Sequence, residues 1–265
     1  MNPKIRNIII IVLLVAIVVT FHIVRRNATM RGIECEVVHD GAPVPERVTL
    51  FTSGDVDSII RTKYPYLLAT DIKDVDKQGI RKMLEKHPYV LEASVRMSTG
   101  GKLLVEVEQR IPVVRMFYQD NEFYLSRQGT AMPLSENRYC HVLVGSTLME
   151  EPKVKRPLSI DLTDTAVHHQ PVSPLKIWTL ASFLYDNPQY GDLFDQVVVD
   201  DKGDLCLVPK LGDFTVVVGD TTRLEQKFQN MQAFLEQGVK QVGWDTYSSI
   251  CLKYRDQVVC TRRGK

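Results

Sequence analysis

Hydrophobic positions follow three patterns along the chain: one unbroken run near the start, stretches with a period near 3.6, and stretches that alternate every second residue. The unbroken run is Ile8 to Val19, extended by Thr20, Phe21, His22, Ile23 and Val24 until Arg25 and Arg26 stop it. At about 1.5 Å per helical residue, Ile8 to Val24 reaches roughly 25 Å, and Ile5 to Asn7 bring it near the roughly 30 Å of bilayer hydrocarbon. The pattern predicts a transmembrane anchor with Ile8, Leu13, Leu14, Val19 and Val24 in contact with lipid. Two alternatives stay open, a cleaved signal peptide and a buried helix. Against the first, Arg25-Arg26-Asn27 follows the run and only Ala28 is small. Against the second, Ile8 to Val19 has no polar face. Lys4 and Arg6 on one flank and Arg25, Arg26 and Arg31 on the other do not decide the orientation, because long domains translocate largely regardless of charge.

Past the run, residues 32 to 38 predict a strand closed by Asp40-Gly41-Ala42-Pro43. Ser53 to Lys63 predicts a helix capped by Ser53, and Asp74 to Lys86 a second one, ended by Pro88. Gly79 inside the second costs about 1 kcal/mol relative to alanine. Val90 to Met97 and Lys102 to Gln109 alternate around Ser98-Thr99-Gly100-Gly101, a hairpin signal, with Val105 and Val107 facing inward and Glu106 and Glu108 facing water. The order strand, helix, helix, strand, strand predicts helices layered on one sheet face. A hairpin follows at Val113 to Tyr118 and Glu122 to Leu125, then a strand over 141 to 145. A helix is predicted over 174 to 186 with Ser173 as its cap. Phe194 to Val199, Asp204 to Val208 and Asp213 to Val218 predict a meander. Thr222 and Glu225 are spaced as a capping box for a helix carrying Leu224, Phe228, Met231 and Leu235, with Gly238 past its end. Tyr247 to Tyr254 and Gln257 to Thr261 predict a last hairpin around Arg255-Asp256. The fold class is α+β: an N-terminal transmembrane helix, a β-α-α-β-β domain, and a mixed β-rich domain with a C-terminal helix and an edge hairpin.

Lys and Arg number 33 against 32 Asp and Glu, so no basic excess exists to hold a phosphate backbone, and nucleic acid is not an expected partner. The five cysteines show no CxxC spacing, which disfavours a structural zinc or a redox pair of that type. No nucleophile elbow, phosphate-cradling glycine loop or HExxH helix occurs, so no catalytic residue, cofactor, metal or small-molecule substrate is expected. His168-His169 point to different sides of an extended chain and read as solvated loop. Asp55, Asp57, Asp74 and Asp76 sit at helix starts, where carboxylates favour the dipole. With a two-residue turn, Cys251 and Cys260 would lie opposite one another within disulfide reach; the alternative is two buried thiols.

The residues Glu85-Lys86-His87-Pro88-Tyr89-Val90-Leu91-Glu92-Ala93-Ser94-Val95, followed by Leu103 to Gln109 and Arg110-Ile111-Pro112-Val113, resemble the end of a polypeptide-transport-associated (POTRA) domain in the bacterial FtsQ/DivIB division family. Near the C-terminus, Ile250-Cys251-Leu252-Lys253-Tyr254 resembles that family's closing strand. The resemblance implies a short cytoplasmic N-terminus (1–7), a transmembrane helix (8–24), a juxtamembrane linker (25–31), a POTRA-like domain (32–111), a β domain (112–261) and a basic tail (262–265). It implies a plasma-membrane protein with its C-terminal part outside the cytoplasm. It also implies a non-enzymatic scaffold that binds bitopic division proteins of the FtsB/DivIC and FtsL types. In the family the closing strand takes up a partner strand, a role that falls by resemblance on Lys253, Tyr254, Gln257, Val258, Val259, Cys260 and Thr261. An edge strand exposes unpaired N–H and C=O groups that can template another chain, although Arg262 and Arg263 could equally guard an ordinary edge. The alternative function is a POTRA module in protein export or outer-membrane assembly. A membrane-tethered hydrolase would instead need a cleft of convergent polar groups.

Overall fold

A computed structural model describes residues 3–26, 29–154, 160–163, 172–239 and 246–264, with the side chains at 3–6, 8, 21–26 and 238–239 outside that description. His168 and His169 lie outside the described residues. The chain divides into two units: Met1–Val44 with Phe51–Gln109, and Pro45–Leu50 with Arg110–Lys265.

The first unit opens with helix α1, Pro3–Arg26. Its described side chains, Asn7 and those at 9–20, are all exposed, Leu13, Leu14 and Val19 among them; Ile8 and Val24 lie in the helix with their side chains undescribed. Among the described residues, no helix is long and apolar enough to cross a membrane.

Strand β1 (Gly32–His39), the two-residue β2 (Ala42–Pro43), helices α2 (Ser53–Lys63) and α3 (Lys77–Glu85), and strands β3 (Val90–Met97) and β4 (Lys102–Gln109) complete the unit. The sheet order is β2-β1-β4-β3, with β1 parallel and β3 antiparallel to β4. The strand, helix, helix, strand, strand order is therefore as expected. Leu103, Val105 and Val107 on the inner face are buried, as are Val56 and Ile60 of α2 and Ile80 and Leu84 of α3. Burying one such aliphatic side chain contributes about 1.5–3 kcal/mol.

The caps differ from expectation by a residue or two. The α2 cap is Thr52 rather than Ser53, because only Thr52 stands three residues before Asp55: the Asp55 N–H donates to Thr52 Oγ1 at 3.4 Å and the Thr52 N–H to Asp55 Oδ2 at 2.8 Å. Helix α3 starts at Lys77, not Asp74, because Asp76 accepts from the Gly79 N–H at 2.8 Å; Ile72–Asp74 forms a short 3₁₀ turn instead. Gly79 serves that cap, since a Cβ there would lie 2.1 Å from Asp76 Oδ2.

The second unit is built on one nine-stranded mixed sheet of order β13-β12-β11-β10-β9-β8-β5-β6-β7. Its strands are β5 (Pro112–Tyr118), β6 (Asn121–Ser126), β7 (Ala131–Met132), β8 (Leu143–Thr147), β9 (Phe194–Val199), β10 (Leu205–Pro209), β11 (Thr215–Gly219), β12 (Tyr247–Cys251) and β13 (Val259–Arg262). Its helices are α4 (Val172–Asp186), the single turn α5 (Pro188–Gly191) and α6 (Leu224–Phe234). The β5–β6 turn is the pair Gln119-Asp120, both at positive φ, which matches strand twist in a two-residue hairpin. Buried Ile177, Leu180 and Ala181 of α4 join Val114, Met116 and Val197 of the sheet in one core. Gly145 lets the helix close on the sheet: a Cβ there would be 2.7 Å from Ile177 Cγ2 and 2.8 Å from Met116 Sδ. Phe228 of α6 packs among Phe183, Tyr190 and Phe194, with ring centroids 5.2 to 6.3 Å away.

Two expected caps are replaced by other contacts, one distant in the chain and one local. Ser173 lies inside α4, buried, and both its N–H (2.7 Å) and its hydroxyl donate to Glu151 Oε1, while the Tyr118 hydroxyl donates to Glu151 Oε2 at 2.8 Å. A carboxylate from another loop thus satisfies the start of the helix. Thr222 directs its hydroxyl to Asp220 at 2.7 Å rather than to the helix, and α6 begins behind Arg223 in a left-handed conformation.

Candidate functional site

The last hairpin occupies one end of the nine-stranded sheet. β12 runs parallel to β11, with Val216 opposite Ile250 and Val217 opposite Cys251, and antiparallel to β13, with Ile250 opposite Cys260 and Cys251 opposite Val259. Among the described residues, no strand pairs with the outer side of β13. The Leu252 N–H donates to the Val217 carbonyl at 2.8 Å, so Ile250 and Leu252 turn toward β11 while Ser249 and Cys251 turn toward β13. Their partners Thr261 and Val259 are thereby engaged. By the alternation of an antiparallel ladder, Cys260 between them presents its N–H and C=O at the free edge.

The expected strand Gln257 to Thr261 is displaced. Gln257 and Val258 belong to the connection, and Arg262, expected in the tail, is in the strand. The connection spans 252 to 258 rather than two residues, with Asp256 at φ 57° and its carboxylate accepting from the Gln226 side chain at 2.7 Å. That longer loop shifts the register, so Cys251 and Cys260 are one step out of alignment on opposite sheet faces, and both are free thiols. The disulfide alternative is therefore not realised. Burial pushes the Cys260 thiol pKa up.

Lys253 and Tyr254 lie within this connection. The Lys253 stem crosses Gly219, which has φ +80°, and its ammonium pairs with Asp204, a hydrogen bond that raises its pKa. Tyr254 is 56% exposed. Arg263, beyond the strand, donates to Asp213 at 2.6 Å and so anchors the chain end. The structure thus brings Val259, Cys260 and Thr261 together on one edge, whereas Lys253 reaches away from it, past Gly219 of β11 to Asp204. Asp204 and Gly219, which hold Lys253, carry no local signal because they come from β10 and β11 turns far back in the chain.

No metal ligands were expected, yet in the first unit His39, Asp40 and Glu108 bring potential ligand atoms within 4.8 Å of one another. A cavity of about 670 Å³ in the second unit is walled by Leu193, Phe214, Met231, Leu235 and Ile250. The strongly shifted groups Cys35, Tyr118, Cys140, Cys206 and Asp220 do not line it. Asp192 and Lys210 are the titratable residues in its wall, and the rest of the lining is apolar or glycine.

With this geometry in place, comparison with known proteins defines the class. The family described as FtsQ/DivIB, C-terminal related, matches residues 111–261, and the chain belongs to it. The chain is similar to the cell division protein FtsQ of Rhodothermus marinus, 27% identical over 191 residues. That similarity covers 70% of this chain and 65% of the relative.

Proposed function

We propose that this protein is a single-pass membrane scaffold of bacterial cell division, holding other membrane division proteins together without chemistry of its own. The observation that carries the reading is β13, a strand with an open outer edge at the end of the sheet within the region that places the chain in its family. A bitopic partner of the FtsB/DivIC type adds a strand along β13, with an FtsL-like protein in the same assembly. Main-chain hydrogen bonds from Cys260 supply the template and flanking side chains the selectivity. Val259, Cys260 and Thr261 form the docking edge, Gln257 and Val258 lead into it, and Lys253 and Tyr254 stand earlier in the same connection, Lys253 held by Asp204.

In this reading residues 8–24 cross the plasma membrane, with Ile8, Leu13, Leu14, Val19 and Val24 facing lipid. The exposure of the apolar side chains at 9–19 of α1 supports it, since a fully apolar surface without a protein partner is stable only in a nonaqueous setting. Residues 1–7 remain in the cytoplasm. The linker (25–31), POTRA-like domain (32–111), β domain (112–261) and basic tail (262–265) lie outside it. A fluorescent fusion imaged in dividing cells tests the reading: midcell enrichment is expected, and uniform membrane signal through division would overturn it.

A further inference from the structure

The hairpin that follows β1 carries a side-chain cluster with no part in partner binding. Its turn is the pair Asp40-Gly41, at φ 49° and 73°, between His39 and Ala42, which stand opposite one another. Two left-handed residues suit a two-residue hairpin, and aspartate tolerates that conformation. The turn thereby fixes where Asp40 stands. Glu108 of β4 lies opposite Val38, the residue before His39, in the parallel ladder. Register and turn together bring one ligand atom from each of His39, Asp40 and Glu108 within 4.8 Å of the others, all inside the first unit.

Negative charge gathers here without a matching cation. On the same sheet Lys102 is taken by Glu34, and Arg96 by Glu106 at 3.0 Å. Glu108 has no ion pair among the described residues, and its cross-strand neighbour on β3 is a second carboxylate, Glu92. Like charges directly opposite one another destabilise a sheet. Asp40 Oδ2 stands 3.4 Å from His39 Nε2. That spacing exceeds the roughly 2.7–3.2 Å of an N–H···O hydrogen bond. It matches the roughly 3.3–3.6 Å between ligand atoms of a tetrahedral ion whose bonds are about 2.0–2.2 Å.

The imidazole itself is uncommitted. Its side chain is only 13% exposed, and Nδ1 is buried with no hydrogen-bond partner. With no donor to meet, Nδ1 can carry the proton, which leaves the Nε2 lone pair toward Asp40. A lone pair facing a carboxylate is stabilised by a cation between them. One imidazole and two carboxylates suit a zinc-type ion, whereas magnesium and calcium take oxygen ligands.

We propose that His39, Asp40 and Glu108 form a zinc site that ties the β1–β2 turn to β4, with the fourth position open to water. The site goes beyond the scaffold reading and does not rest on it. Because nothing accepts from Nδ1–H, its affinity falls about 10–100-fold short of a centre with a supported histidine. The competing role for Asp40 is that of a turn former alone, with Glu108 merely solvated.

The probe is Zn²⁺ alone, titrated calorimetrically into the tag-free, detergent-solubilised full chain after treatment with a chelator. One equivalent should bind, and excess Mg²⁺ should not displace it. Asp40→Asn keeps a residue that tolerates positive φ, and Glu108→Gln keeps the side-chain size. Each should retain the native circular dichroism spectrum and lose about tenfold or more in zinc affinity. His39→Ala should abolish the equivalent; if it fails to fold, the two carboxylate variants decide. Co²⁺ in place of Zn²⁺ should give the weak visible bands of nitrogen and oxygen ligands without a thiolate charge-transfer band, which sets this site apart from the free cysteines. The proposal is overturned if no equivalent binds, if the folded carboxylate variants bind zinc undiminished, if Mg²⁺ displaces it, or if the thiolate band appears. Each of those results leaves the division reading standing, because that reading is tested by localisation and partner recovery.

Discussion

The Cβ that Gly219 lacks would lie 2.6 Å from Cγ of Lys253, and Gly219 itself sits at φ +80°. The turn after β11 is thereby shaped to let the lysine stem cross it and reach Asp204. Gly219→Ala should destabilise the second unit by about 1–3 kcal/mol through the positive φ and the displaced stem. Lys253→Ala in the same chain should recover the steric part and leave the backbone part, a non-additivity that urea unfolding of the two single variants and the double variant will measure.

In α3 the expectation for Gly79 runs against its helix propensity. Alanine in place of glycine inside a helix normally stabilises by about 1 kcal/mol. Here the Asp76 cap occupies the space, so Gly79→Ala should yield no gain, while Asp76→Ala should cost about 1 kcal/mol. In the Asp76→Ala background Gly79→Ala should become stabilising. Equal effects of Gly79→Ala in both backgrounds, by thermal unfolding, would refute the cap as the reason for the glycine.

Acid unfolding should report on Asp220. Hydrogen bonds from the Lys227 ammonium and from Thr222 hold its carboxyl down at about 2, below its ordinary 3.8, with Lys227 buried behind it. A depressed folded-state pKa stabilises above the unfolded value and ceases to do so as pH falls through the folded one. The stability gap between the native chain and Asp220→Asn should thus be full at neutral pH and shrink between about pH 4 and pH 2. A gap that stays constant across that window, measured by urea titration at each pH, would contradict the assignment.

Against α4, Gly145→Ala places a methyl group between Ile177 and Met116, where the distances leave no room. Overpacking of this kind costs about 1–3 kcal/mol, and the loss should appear as a lowered urea midpoint with an unchanged slope.

What could be read in advance was whatever short-range chemistry decides. The turn Ser98-Thr99-Gly100-Gly101, the alternation of β4 and the position of β9 are written in neighbouring residues, and each was anticipated within a residue. Features set by residues distant in the chain were missed. Glu151 caps α4 across 22 positions, Asp204 holds Lys253 across 49, and Pro45–Leu50 groups with the second unit. The hairpin register failed for a local reason: Arg255-Asp256 reads as a complete turn, yet the strands stop at Cys251 and resume at Val259. The identity of the edge strand was anticipated only through the family resemblance, because alternation alone does not say which strand lacks a neighbour.

The central claim is that the main chain of β13 receives a partner strand, and Cys260 is where it can be tested most directly. Val258 lies before the strand, whereas the Cys260 N–H points to the free edge, so Cys260→Pro removes a templating donor without removing a bond to β12. Co-purification of an FtsB/DivIC-type partner with the membrane-embedded full chain is the measurement. The account predicts that Cys260→Pro keeps its native circular dichroism spectrum and melting temperature while recovered partner falls about tenfold or more. Undiminished recovery from the folded variant would contradict strand addition at this edge.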